Sequence, residues 1–107
     1  IQISFGAKNI NDIKVFLCFY WHEVPKWLQK NRFYFKSEQR GFGEDTFHVM
    51  WYELIKEYKP KKMLEIGVYR GQIIPAWALV TKELDISCDI QGISPFTSVG
   101  DDVSTYI

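Results

Sequence analysis

Met63-Leu64-Glu65-Ile66-Gly67-Val68-Tyr69-Arg70-Gly71 decides the fold of this 107-residue chain. Met63 to Gly67 is a short run with a single charge, as suits a central strand of a parallel sheet. Val68 to Gly71 reads as a loop. Ile73, Ile74, Trp77, Ala78 and Val80 then predict a helix reaching about Glu83. Pro75 falls in its first turn, where a missing N–H costs little. Ile86 to Ile93 reads as a second strand, stopped by Ser94-Pro95. Strand, helix and strand within roughly 30 residues make a βαβ unit, and such crossovers are nearly always right-handed.

Upstream of this unit the pattern is helical. Glu44 and Asp45 suit the positive end of a helix dipole. Phe47, Met50, Trp51, Leu54, Ile55 and Tyr58 follow at helical spacing and predict one packed face. Pro60 stops that helix. Arg40-Gly41-Phe42-Gly43 is a loop by its two glycines. An earlier helix is predicted from Asn11 or Asp12, with Ile13, Phe16, Leu17, Tyr20 and Trp21 on one side. Pro25 ends or kinks it, or opens a further helix to about Arg32. Phe33-Tyr34-Phe35 is ambiguous, residues 1–9 read as an extended lead-in, and residues 96–107 as a polar, loop-like tail. The chain thus divides into an N-terminal helical extension, 1–43, and an α/β portion, 44–107.

Composition narrows the function. Thirteen Lys and Arg balance thirteen Asp and Glu, so a general nucleic-acid binder, which needs a basic surplus, is not expected. The apolar fraction of 47% argues for a packed fold rather than disorder. The longest near-apolar run, Val15 to Trp21, is far shorter than the roughly 20 residues of a membrane span. Two cysteines, Cys18 and Cys88, make no disulfide framework, and Lys8, Asp12 and Lys14 interrupt any early signal-like stretch. A cytoplasmic setting is the expectation. Charge is uneven: residues 1–62 hold eleven basic and seven acidic side chains, residues 63–107 two and six. The simplest account is attraction between the halves within one fold; a basic arm on an acidic domain is the other.

The turn after the first strand can do chemistry. Gly67 permits a sharp change of direction, and Gly71 permits close approach at the helix start. Free amides at a helix start can face a polar or anionic group. Glu65 lies near the strand's carboxyl end, where ligands of open α/β sheets bind, and can accept from an ammonium or hydroxyl. These nine residues resemble the first motif of class I S-adenosylmethionine-dependent methyltransferases, in the variant with Glu, Gly, an aromatic and Gly found in bacterial small-molecule and sugar methyltransferases. Arg40 to Asp45 is similar to the lead-in of that type, and Gly92-Ile93-Ser94-Pro95-Phe96 to the end of its second strand.

The resemblance covers about residues 40–107. It implies an incomplete Rossmann-like methyltransferase fold: N-terminal helices followed by one βαβ unit. It also implies S-adenosylmethionine as cofactor, a small molecule or sugar as substrate, and Glu65, Gly67, Tyr69 and Gly71 along the cofactor's methionine part. Where the family usually places an acid for the ribose hydroxyls, this chain has Ser94, which hydrogen-bonds singly and without charge; Asp101 or Asp102 is a weaker substitute. The family's sheet carries further strands, which hold substrate residues, so no catalytic residue is assigned and the chain alone is not expected to be active. Ile1 in place of an initiator Met, and an end at Ile107 after a strand-and-loop pattern with no closing helix, lead us to expect the N-terminal piece of a longer protein. Two strands need packing support, so we expect a homo-oligomer or the remainder of the same chain as partner.

Other readings compete. The turn can be an ordinary tight turn of an α/β domain, and the chain a non-catalytic interaction module. A dinucleotide fingerprint fits less well, because Tyr69 stands where its second glycine belongs. His22 and His48 have no companions at metal spacing, so no metal is expected. The cysteines read as small buried residues, and Trp21, Trp27, Trp51 and Trp77 as core or interface anchors. Lys14, Lys26, Lys30 and Arg32 around the aromatic N-terminal helix suit a membrane surface, but a lid or dimer-contact helix is preferred, and no membrane partner is expected.

Overall fold

A computed structural model describes residues 20–38, 45–68 and 71–95. Among them a 3-10 turn, Trp21–Glu23, leads to helix α1, Lys26–Ser37, and helix α2, Asp45–Tyr58. Strand β1, Lys62–Ile66, helix α3, Ile73–Glu83, and strand β2, Asp89–Ile93, complete the order. β1 and β2 pair in parallel, from Lys62 opposite Asp89 to Ile66 opposite Ile93. The chain is therefore a small α/β domain with a βαβ unit. The helix predicted from residue 11, the Arg40–Gly43 loop, Cys18 and the tail with Asp101 and Asp102 lie outside the described residues.

α3 is the centre of the packing. It touches α1, α2 and β2, and buries Ala76, Trp77, Val80 and Thr81. Trp77 and Val80 join Val24, Leu28, Val49 and Ile55 in the core. Trp51 meets Trp77 edge to face, with ring centroids 5.0 Å apart, a geometry worth about 0.5–1.5 kcal/mol beyond the buried area. Trp21, Trp27 and Trp51 pack against the core from its edge. Met63 and Ile90 reach it from the sheet's inner face. On that face Gly92 lies against α3, and a Cβ there would collide with Ile74 and Val68.

The structure corrects several expectations. α1 runs on through Phe33-Tyr34-Phe35 to Ser37, because Phe35 is buried and closes the helix's inner face. β2 starts at Asp89, not Ile86. β1 begins at Lys62, opposite Asp89, so residues 86–88 have no strand beside them. The face of α2 is also rotated from the predicted one. Phe47 and Tyr58 are exposed, whereas Thr46, His48, Val49, Glu53 and Ile55 are buried. α2 packs against α1, the 3-10 turn and α3. Cys88 is half-buried rather than buried, and burial together with the neighbouring Asp89 raises its thiol pKa.

The charge halves are not joined by an ion pair among the described residues. Arg32 pairs with Asp45 at 3.0 Å and Lys56 with Glu53 at 3.4 Å, all four in the first half.

Candidate functional site

The carboxyl ends of the two strands bring Glu65, Gly67 and Ser94 together. Glu65 stands opposite Gly92 on the sheet's inner face. One of its carboxylate oxygens, Oε2, is buried and has no hydrogen-bond partner. Burial raises the carboxyl above its ordinary pKa, because a charge in a poorly solvated site is disfavoured.

Gly67 follows β1 at φ +86°, a conformation that favours glycine. Its N–H donates to the Ile93 carbonyl at 2.8 Å and carries the ladder one residue beyond the strand. Ser94 follows Ile93 directly and is half-buried. Gly71, at φ +80°, donates to the Val68 carbonyl at 3.0 Å. A Cβ on either glycine would meet nothing within 4 Å. Both glycines are therefore set by backbone conformation, and the space beside them is open to a ligand. Tyr69 lies outside the described residues.

The N–H groups of Gly67 and Gly71 are spent on internal carbonyls. Donors at the start of α3 come from Ile73 and Ile74, whose N–H groups have no intrahelical acceptor; Pro75 has none to give.

A polar network that sequence reasoning missed anchors this turn. Gln72, the N-cap of α3, is buried, and its Oε1 accepts from Arg32 Nη1 at 2.6 Å. Arg32 is itself buried and donates through Nε to Asp45 at 3.0 Å. The network thus ties α1, the first residue of α2 and the start of α3 behind Gly71. Residues 32 and 72 are forty apart, and neither belongs to a motif.

Glu65 presents an acceptor for an ammonium or hydroxyl donor, the two glycines put no side chain at the turn, and Ser94 offers a single neutral hydroxyl. No group of three or more His, Cys, Asp or Glu able to hold a metal occurs among the described residues. His48 is fully buried and His22 exposed, which accords with structural and surface roles. No helix among the described residues is long and apolar enough to cross a membrane. No family model, curated protein or solved structure matches this chain.

Proposed function

We propose that the chain is the N-terminal part of an S-adenosylmethionine-dependent methyltransferase acting on a small molecule or sugar. One observation carries the reading. A buried, unpartnered carboxylate oxygen of Glu65 ends the first strand of a parallel βαβ unit, and two glycines with positive φ and open space beside them follow. In this reading Glu65 accepts from the cofactor's ammonium, Gly67 and Gly71 keep the turn clear of side chains, and Ser94 meets a ribose hydroxyl. The cofactor, when bound, supplies an electrophilic methyl group on a sulfonium. The same reading implies a cytoplasmic protein, in line with the absence of a disulfide framework.

Calorimetric titration of S-adenosylhomocysteine tests it, into the 107-residue chain and into the product of the complete reading frame. We expect binding by the complete product that Glu65→Gln abolishes. Absence of binding by both would remove the turn from cofactor chemistry.

A second reading is a non-catalytic interaction module. Its specific support is the outer face of the sheet, where Leu64, Ile66 and Ile93 are 51%, 79% and 60% exposed. A parallel sheet ordinarily has both faces covered.

A further inference from the structure

We propose that a cleft along α1, apart from the strand ends, is a second binding site, for a phosphorylated compound that carries a planar ring. The cleft measures about 370 Å³, within the range of small-ligand pockets. None of Glu65, Gly67, Gly71 or Ser94 lines it.

Its charge is one-sided. Among the described residues, Lys26, Lys30, Arg32 and Lys36 line it against a single carboxylate, Asp45. That carboxylate is committed to the Arg32 guanidinium. Arg32 also gives Nη1 to Gln72, so its fork is not presented for a planar, bidentate carboxylate partner. The three lysines form no ion pair among the described residues, and Lys26 makes only a long hydrogen bond, 3.4 Å, to Gln29. Three ammonium groups on flexible stems hold a compact, multiply charged anion as point charges, which is the recognition chemistry of phosphate.

The ring follows from the walls. Phe33, 70% exposed, and the half-buried Trp21 both line the cleft. An aromatic side chain held in water on a charged helix face gains from a flat partner. Gln29 fixes the Trp21 wall by donating to the Trp21 and Val24 carbonyls at 3.3 and 3.0 Å.

Adenosine diphosphate, inorganic pyrophosphate and adenosine, titrated separately into the 107-residue chain, test the proposal. We expect saturable binding of the diphosphate, weakened by added salt and at least about tenfold by the double variant Lys30→Gln/Lys36→Gln. Both lysines are exposed, so far-ultraviolet dichroism and melting should match the parent. Phe33→Ala should weaken the nucleotide several-fold and leave pyrophosphate unchanged. Glu65→Gln should leave diphosphate binding intact, which separates this site from the strand ends and lets either proposal fail alone. No saturable binding, or binding untouched by the lysine variant, would overturn it. So would binding to vesicles of phosphatidylserine and phosphatidylcholine without any to the nucleotide, which would make the face a membrane contact.

Discussion

At the scale of single residues, Glu65 is in tension with its surroundings. Its carboxyl pKa is raised from 4.5 by burial, so the folded chain holds this proton more tightly than the unfolded one. The contribution of the protonated form is complete below pH 4.5 and is lost as pH rises through the raised value. Glu65→Gln should therefore flatten that decline. It should melt higher than the parent at pH 7 and show less advantage at pH 4. The same variant should lose S-adenosylhomocysteine binding, and parallel melting and calorimetry check both. Gly67→Ala tests the turn differently. At φ +86° a Cβ costs about 1–2 kcal/mol, which denaturant titration would read as a lower midpoint.

Gly67 and Gly71 were legible as turn residues because glycines just after a strand mark a change of direction, and both take positive φ. Arg32, Gln72 and Asp45 were not, because their link is tertiary and buried polar groups carry no periodic signal. Ser94 was legible as the stop of the second strand.

At the scale of elements, helix and strand types could be read from period and proline, while their limits and faces depended on neighbours. α2 shows why. Its apolar residues define a stripe, but the contacts that reach it decide which flank is buried, and polar Thr46, His48 and Glu53 enter the interior as a result. The end of α3 belongs to another kind of signal. Asp85 takes φ +55°, its N–H donates to the Lys82 carbonyl, and Ile86 donates to that of Thr81 at 2.8 Å. This is the paired closure that usually employs glycine. It leaves Ile86 packed against the core ahead of the strand. Asp85→Gly should raise stability by about 0.5–1 kcal/mol, seen as a higher melting temperature with no change in helix content.

At the scale of the whole molecule, the sheet is covered on one side. Lys62, Leu64 and Ile66 lie in register with Asp89, Gln91 and Ile93 on the outer face. A two-fold axis parallel to the strands would set each β1 over the partner's β2. Lys62 would then meet Asp89 and Ile66 would meet Ile93, a self-complementary pattern. Two five-residue strands offer little area against the ~800 Å² per partner of stable interfaces, so the self-association expected is weak. Sedimentation equilibrium at tens of micromolar should show mass above the monomer, and Ile66→Lys should return it to the monomer. A cooperatively melting monomer would refute this.

Arg32 stands between two places at once. It walls the cleft along α1 and holds Gln72, the residue after Gly71. Arg32→Met would therefore remove a wall of that cleft and the partner of the buried Gln72 at one stroke.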